Sequence, residues 1–358
     1  MDRISKVPIK NIYYMLCYAW EMVEKAEEVS VENEDFDNIY NLLCKMYIKE
    51  MDSLTRRGFN KYYLRNEDEL SSLRGKINVS TSIKGQALFS RKLFCEFDEF
   101  SKDIKLNQIL KTTLNLFLKS PNLDKELREK LIKLKVYFSG INEVKLSKEL
   151  FSSLRYNRHN NHYKVLINIS QLLYEGLITN EEDGEFKFSA FIKENQMAKL
   201  YEKFILNFYK VNLDSKVYKV YSPKIKWKLT GEIDEEALEL LPEMRTDIVI
   251  ENKIEKTQLI IDAKYYEETL VSIGWGSRKK IRTSHLYQIL AYVNNSDFDG
   301  EVSGMILYPT VDKNFDIMFH IDNKSIITTT INLKFNFKNI KTILNDKITL
   351  NKNLPLSN

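Results

Sequence analysis

Two short apolar runs separated by a polar turn constrain the fold of this chain more than any other feature. The first run occupies residues 246–251 and the second residues 258–264, and both are rich in β-branched side chains. Such residues fit a pleated, half-buried surface, and two runs this close together predict a β-hairpin. The second run is the more apolar, so its strand is expected to be buried.

The elements expected around this hairpin are mixed. Apolar residues at helical spacing predict helices at 195–211 and 284–293, and β-rich runs predict strands at 225–229 and 304–308. Mixed strands flanked by helices favour an α/β sandwich. The charged turn at 181–184 is a plausible boundary in front of it.

The first half of the chain is predicted to be mostly helical with a small β element. Residues 61–64 and 75–80 have the pattern of short strands, with a polar turn at 66–72 between them. The predicted helices cover residues 9–23, 36–54, 105–118, 123–137 and 162–177. We therefore expect two domains, 1–180 and 181–358, of overall class α+β or α/β.

Composition excludes several classes of protein. With 358 residues, 43% hydrophobic and 29% charged, the chain has the balance of a soluble globular protein. No apolar stretch is long enough for a transmembrane helix, so no membrane association is expected. Cys17, Cys44 and Cys95 form no CxxC pair, which favours reduced core residues in a cytoplasmic protein. No P-loop motif occurs, so this chain itself is not expected to bind a nucleotide.

Positive charge is concentrated between residues 54 and 94. Nine Lys or Arg residues stand there against three acidic residues, although the net charge of the whole chain is only +4. The excess indicates an anionic partner, nucleic acid or an acidic protein surface, with a solvated basic face as the equal alternative. The residues of segment 56–92 singled out for partner or DNA contact are Arg56, Arg57, Arg74, Lys76 and Lys84.

The residues with catalytic potential lie on the predicted hairpin. Asp262 and Lys264 are two positions apart, so a strand presents them on one face. Asp247 lies on the neighbouring strand, and a suitable register would bring it to the same face. Two carboxylates can bind Mg²⁺ through oxygen, and a lysine beside them can orient water and stabilise charge on phosphorus. Asp247 and Asp262 are therefore the predicted metal ligands, and Asp247, Asp262 and Lys264 the predicted catalytic residues.

This spacing is typical of PD-(D/E)xK nucleases, which have a restriction-endonuclease-like fold. The pattern is weak alone, because six other acidic-x-Lys triplets occur in the chain, Glu251-x-Lys253 among them. The triplet at Asp262 differs because it ends the most apolar strand, where a charge usually needs a reason. An ion pair at a strand end is the alternative interpretation.

Several accessory residues follow from the same hypothesis. Gln288 and Tyr292 match the QxxxY element of RecB-like nucleases and share one helix face. Glu202 could complete the metal site or could be a solvated helix charge. The segment 274–282 combines glycines with four cations that could contact DNA phosphates, or form a basic loop without that role. Those cations are Arg278, Lys279, Lys280 and Arg282.

Motifs outside the catalytic pattern give the chain a more specific resemblance. They are Pro8-Ile9-Lys10-Asn11-Ile12-Tyr13-Tyr14-Met15-Leu16 with Tyr18-Ala19-Trp20, Arg56-Arg57-Gly58, Thr81-Ser82-Ile83-Lys84-Gly85, Leu110 to Leu114, Leu240-Leu241-Pro242, Met244 with Thr246-Asp247-Ile248, Asp262-Ala263-Lys264-Tyr265-Tyr266, and Leu286-Tyr287-Gln288. Through them the chain, from about residue 7 to 310, resembles the McrC family, the nuclease subunits of McrBC modification-dependent restriction systems. The last 45 or so residues carry little of this resemblance.

The resemblance implies a Mg²⁺-dependent endodeoxyribonuclease subunit with Asp247, Asp262 and Lys264 as its catalytic trio. It also implies a McrB-type AAA+ GTPase ring as partner, into which the N-terminal half docks, and double-stranded DNA containing modified cytosine as substrate. GTP would be bound by that partner. Two alternatives stay open, a non-catalytic activator of the GTPase and a free-standing RecB-like repair nuclease. The intact trio speaks against the first, and the long helical N-terminal half against the second.

Overall fold

The chain forms two compact units. A computed structural model describes residues 7–26, 39–84, 91–121, 123–178, 194–231, 234–265, 271–272, 279–311 and 314–349. One unit combines Met1–Phe36 with Ile192–Asn358, and the other is Asp37–Phe191. This division differs from the expected 1–180 and 181–358 mainly in the first 36 residues, which belong with the C-terminal half.

The secondary structure of the described residues follows the chain order below. The helices are α1 (Ile9–Ala19), α2 (Val23–Ala26), α3 (Ile39–Arg57), α4 (Val79–Lys84), α5 (Lys105–Lys119), α6 (Lys125–Leu134), α7 (Lys148–Ser153), α8 (Lys164–Ile178), α9 (Glu194–Asn212), α10 (Glu235–Glu239), α11 (Thr283–Asn295) and α12 (Phe337–Lys347). The strands are β1 (Tyr62–Leu70), β2 (Lys76–Ile77), β3 (Leu93–Ser101), β4 (Tyr218–Tyr221), β5 (Lys224–Ile225), β6 (Met244–Arg245), β7 (Ile248–Asn252), β8 (Thr257–Ala263), β9 (Val271–Ser272), β10 (Lys279–Lys280), β11 (Glu301–Thr310), β12 (Asp316–Ile321) and β13 (Lys324–Asn332).

A six-stranded mixed sheet forms the centre of the unit that contains the C-terminal half. Its strand order is β12-β13-β11-β8-β7-β4. The predicted hairpin is confirmed, because β7 and β8 pair antiparallel, whereas β8, β11 and β13 run parallel to one another. Strands β12 and β13 were not anticipated from the sequence. The helical N-terminal region and this mixed sheet confirm the expected fold class.

Both faces of this sheet are buried, which explains the near-continuous apolar runs of its central strands. On one face, Val249, Ile260 and Ile306 pack with Ile289 and Val293 of α11 in a single core cluster. The residues that alternate with them along β7 and β8 are also buried, and α9 packs against β4, β7 and β8. The β7–β8 hairpin is thus fixed between helices α9 and α11.

Helix α1 belongs to this unit because its side chains contact α9 and the residues that follow β13. Asn11 donates from Nδ2 to the carbonyl oxygens of Leu333 (2.6 Å) and Phe335 (2.8 Å). Asn207 of α9 donates to the Tyr18 carbonyl at 3.0 Å. Such buried bonds between distant segments cannot be read from local periodicity, and they explain why the first 36 residues do not belong with residues 37–180.

The second unit has a helical core of α3, α5, α6 and α8 beside a three-stranded sheet. Buried tyrosines connect the helices, as in the hydrogen bond from the Tyr47 hydroxyl to the Leu110 carbonyl at 2.7 Å. The sheet has the order β1-β3-β2. The turn predicted at 66–72 is wrong over 66–70, because pairing with β3 keeps β1 extended to Leu70. The strand predicted at 75–80 is reduced to β2, and α4 begins at Val79.

Two further predictions concern the cysteines and membrane-spanning helices. The three cysteines are buried and form no disulfide, as predicted for core residues. Among the described residues, no helix combines the length and the apolar character that a membrane span requires.

Candidate active site

The two predicted carboxylates lie opposite each other at one end of the β7–β8 hairpin. Ile248 pairs with Ile261 in the antiparallel register, so the next positions, Asp247 and Asp262, face each other. Asp262 has no exposed surface. Asp247 is fixed by its Oδ2, which accepts a hydrogen bond from the Ala263 amide at 2.8 Å. The register therefore satisfies the condition that the sequence left open.

Lys264 completes this group from the strand end. Its ammonium nitrogen lies 2.9 Å from Oδ1 of Asp262. Its backbone amide donates to the Leu307 carbonyl at 3.0 Å, which continues the β8–β11 pairing past the last residue of β8. The lysine is thus held at the carboxylates by its backbone as well as by charge.

The carboxylates carry more negative charge than their surroundings compensate. Burial raises the pKa of both Asp247 and Asp262, although the positive charge of Lys264 acts against this rise in both. Burial lowers the pKa of Lys264, but the nearby Asp262 outweighs it, so the net shift is upward. Within the described part of the chain, neither oxygen of Asp262 receives a hydrogen bond of good geometry. A buried carboxylate in that position is costly unless a cation joins it.

Glu202 of α9 is brought to the same place. Burial first, and the charge of Asp247 second, raise the pKa of Glu202 to about 7, while Lys264 acts in the opposite direction. A solvated helix glutamate would have neither influence. Glu202 is therefore partly buried near Asp247, and its part in a metal site stays a prediction.

The QxxxY pair forms an ordered relay on α11. Gln288 donates from Nε2 to the Tyr292 hydroxyl at 2.7 Å, and this hydroxyl donates to the Arg245 carbonyl at 2.9 Å. Tyr292 is buried, and after burial and Gln288 the charges of Asp262, Asp247 and Lys264 also influence its pKa, which is raised. The pair contacts the backbone two residues before Asp247, a role that the sequence did not indicate.

The cations of the glycine-containing segment are only partly described. Arg278 lies outside the described residues, as does the structure of 273–278. Lys279 and Lys280 form β10, and Lys280 is exposed. Arg282 is half-buried at the start of α11. Contact of these four residues with phosphate stays a prediction.

The basic segment of the second unit is exposed but less uniformly positive than its sequence. Arg56 and Arg57 end α3, and Arg74 and Lys76 are exposed near β2. Only the backbone of Lys84 is described. Strand β3 adds acidic residues beside these cations, because Lys76 pairs in register with Glu96. The guanidinium of Arg74 lies 4.0 Å from the ring centre of Phe97, a cation–π contact on the same sheet.

Two residues of this neighbourhood escaped the sequence analysis. His285 is buried, and its Nδ1 lies 2.7 Å from the Tyr308 hydroxyl. Burial, then the charges of Lys264 and Arg282, lower the pKa of His285 to about 4. A lone histidine on a helix gives no sequence signal for such a place. Arg245 is the second, and its position two residues before Asp247 could have drawn attention to it.

The group fits a divalent metal through its carboxylates. In the part of the chain that the structure describes, no three His, Cys, Asp or Glu side chains form a preformed metal cluster. Asp247 and Asp262 nevertheless provide two facing oxygen donors with uncompensated charge. Mg²⁺ uses one or two carboxylates and keeps several waters, so this donor set suits it.

Comparisons with known proteins agree with this geometry. The family model described as McrBC 5-methylcytosine restriction system component matches residues 4–309. The chain is 30% identical over 330 residues to the type IV methyl-directed restriction enzyme EcoKMcrBC of Escherichia coli (strain K12), which covers 91% of this chain and 93% of that protein. Its fold is similar, with a TM-score of 0.53 and 20% identity, to a chain of the half-complex from a tetradecameric assembly of Thermococcus gammatolerans McrB AAA+ hexamers with bound McrC. That match covers 95% of this chain and 76% of the other. The chain therefore belongs to the family of McrBC 5-methylcytosine restriction system components.

Proposed function

We propose that this chain is the Mg²⁺-dependent endodeoxyribonuclease subunit of a GTP-driven, modification-dependent restriction complex. The observation that carries the proposal is the buried, uncompensated carboxylate of Asp262, facing Asp247 with Lys264 at 2.9 Å. A structural ion pair would need only one acid for one lysine. The second acid, the half-buried Asp247, gives the group a charge that suits a divalent cation.

The roles of the residues follow from their positions. Asp247 and Asp262 would hold the metal, which when bound lowers the pKa of a coordinated water and neutralises phosphate charge. Lys264 would orient the attacking water and donate a hydrogen bond to the phosphate oxygen on which negative charge develops. Glu202, with its pKa raised to about 7, could accept a proton near neutral pH or assist the carboxylates in holding the metal.

The partner and the substrate belong to the same proposal. A similar fold occurs in an assembly of McrB AAA+ hexamers with bound McrC, which favours an AAA+ GTPase ring as partner of this chain. The relative in Escherichia coli is a methyl-directed restriction enzyme, which favours modified DNA as substrate. The exposed cations of segment 56–92 are the proposed contact with the ring or with DNA. We expect this system to act on DNA in the bacterial cytoplasm.

The test is cleavage of cytosine-methylated plasmid by this chain together with the AAA+ GTPase encoded beside it. Wild type, Asp262→Asn and the matched control Glu251→Gln are compared with and without Mg²⁺ and GTP. The proposal expects linearisation that needs both Mg²⁺ and GTP, and that is lost only in Asp262→Asn. A higher Mg²⁺ concentration should not restore cleavage by Asp262→Asn.

Two other outcomes would each replace the proposal. Stimulated GTP turnover without cleavage by the wild-type chain would identify a non-catalytic activator. Cleavage by the chain alone, indifferent to GTP and methylation, would identify a free-standing nuclease.

A further inference from the structure

The short segment between β6 and β7 is fixed more firmly than a surface connection requires. Thr246 donates to the Pro223 carbonyl from both its amide (3.2 Å) and its hydroxyl (3.1 Å). The Ser222 hydroxyl donates to the Thr246 carbonyl at 2.7 Å, and the Tyr292 hydroxyl to the Arg245 carbonyl at 2.9 Å. The backbone that leads into Asp247 is thus held from two sides, by the β4–β5 connection at Ser222 and Pro223 and by Tyr292 of α11.

The side chains of this segment alternate between core and solvent. Met244 and Thr246 are buried, whereas Arg245 is exposed. Since neighbouring residues of an extended chain point to opposite sides, Arg245 and Asp247 point to the same side. In agreement, the positive charge of Arg245 lowers the pKa of Asp247 and of Glu202, after larger influences. Arg245 is therefore an exposed residue on the side of this segment that carries Asp247.

Among the cations next to Asp247 on β5, on β6 and at the end of β8, Arg245 is the one without a carboxylate partner in the described part of the chain. Lys264 is paired with Asp262, and Lys224, opposite Arg245 in the β5–β6 register, is paired with Glu243. Among the residues that the structure describes, the Arg245 guanidinium has no hydrogen-bond or ion-pair partner within 4.0 Å. A fixed backbone and an available planar guanidinium are what recognition of a phosphate by arginine needs.

We propose that Arg245 binds a phosphate of the DNA backbone adjacent to the phosphate that is cleaved, and that Gln288 and Tyr292 position Arg245 for this contact. This inference rests on the proposed nuclease function and adds a substrate contact to it. It gives the QxxxY pair a definite task, which is to fix the carbonyl of the phosphate-binding residue. Displacement of Arg245 would also displace Asp247, so substrate position and metal position are coupled through one segment.

The experiment measures binding and cleavage separately. Affinity of the full chain for a short DNA duplex is determined without Mg²⁺ over a salt series of about 50 to 200 mM. The variants are Arg245→Gln, Arg245→Lys and the control Lys256→Gln, an exposed lysine in the turn at the other end of the hairpin. Cleavage by each variant is then measured in the complete complex with Mg²⁺ and GTP.

A lost phosphate contact has a defined signature. For Arg245→Gln we expect about tenfold weaker binding at low salt and a salt slope reduced by about one. Arg245→Lys should keep the slope because it keeps the charge, but bind more weakly because it loses the planar fork. Lys256→Gln should match wild type in both measurements. Cleavage by Arg245→Gln should lose apparent affinity for DNA more than turnover at saturation.

The result that would overturn the inference is an unchanged salt slope in Arg245→Gln, or an equal reduction in Lys256→Gln. If the wild-type complex fails to cleave, the proposed nuclease function fails, while a slope reduced only in Arg245→Gln would still support the phosphate contact. The two failures are therefore distinguishable.

Discussion

The β7–β8 hairpin carries an acidic-x-Lys triplet at each end, and the acids of the two triplets have very different hydrogen-bond and charge partners. At one end, Glu251 accepts hydrogen bonds from the Tyr221 hydroxyl and from Gln258 at 3.3 Å, and pairs with Lys219 at 3.3 Å. Lys253 points elsewhere and donates to the Ser215 carbonyl. At the other end, Asp262 is fully buried, and Lys264 approaches it while a second acid faces it.

The comparison shows how two acids with the same sequence pattern can be distinguished by whether neighbouring donors and cations compensate their charge. Glu251 has donors around it that satisfy its charge, so it stabilises the hairpin. Asp262 has a single lysine and the repulsion of Asp247, so its charge costs stability until a cation is bound. We use this contrast to order four predictions, from the largest expected effect to the smallest.

The substitutions Asp262→Asn and Glu251→Gln should differ most in their effect on DNA cleavage. Asp262→Asn should reduce DNA cleavage by on the order of 10³-fold or more, because it removes a metal-binding oxygen charge, whereas Glu251→Gln should stay within about threefold of wild type. Initial rates of plasmid linearisation in the complete complex measure both. Equal losses in the two variants would show that the hairpin ends do not differ as we infer.

Asp262→Asn and Glu251→Gln should change the free energy of unfolding in opposite directions when no metal is present. A carboxyl whose pKa is raised from 3.8 to about 7 on folding makes its full contribution to stability below the unfolded value, and loses this contribution as pH rises through the folded value. At pH 8 Asp262 is therefore unfavourable, and Asp262→Asn should raise the free energy of unfolding by about 1 kcal/mol in EDTA. Glu251→Gln should lower it by about 1–2 kcal/mol, because its donors lose a charged acceptor.

Urea unfolding in EDTA and in excess Mg²⁺ measures these changes. Mg²⁺ should stabilise wild type and Glu251→Gln, and not Asp262→Asn. A decrease in stability for Asp262→Asn under metal-free conditions would contradict the assignment of Asp262 as an uncompensated acid.

Glu202 should give a smaller effect that depends on pH. Since burial and Asp247 raise its pKa to about 7, it loses its proton between about pH 6 and 8 and adds negative charge to the site there. Apparent Mg²⁺ affinity of wild type should therefore increase over this interval. Asp262, whose pKa is also raised to about 7, contributes to the same rise. Glu202→Gln should therefore keep part of the rise and show a shallower one, measured by calorimetric titration at a series of pH values. An identical pH profile would return Glu202 to the status of a helix charge.

Tyr292→Phe should give the smallest change. It removes the hydroxyl between Gln288 and the Arg245 carbonyl but keeps the ring in the core. We expect a loss of about 0.5 kcal/mol in stability and at most about threefold in cleavage, mainly in apparent affinity for DNA. Gln288→Ala serves as the comparison, because it removes one donor and leaves the bond to Arg245. A larger loss in Gln288→Ala would mean that the relay does not act through Arg245.

Much of the unit that contains the six-stranded sheet could be predicted because its pattern is local. The apolar stripe of α9 is buried at Met197, Tyr201, Phe204 and Phe208, as its helical spacing indicates, although Val211 near its end is exposed. The hairpin, α11 and β11 also follow from short-range periodicity. The extent of β1 did not, because it depends on pairing with β3, more than twenty residues away in sequence. The packing of α1 against α9 depends on contacts between segments about half the chain apart.

The sequence by itself determined the acids, the lysine and the hairpin that carries them, because a period of two and a short turn fix which residues share a strand face. It also determined the family through motifs spread over most of the chain. Only the tertiary structure decided which of the two acidic-x-Lys triplets on that hairpin is left without sufficient compensation. It also decided that Glu202 lies near Asp247 and that Tyr292 holds the Arg245 backbone. The physical reason is that burial and charge compensation are properties of neighbours in space, and those neighbours come from α9, α11 and β4 rather than from the hairpin itself.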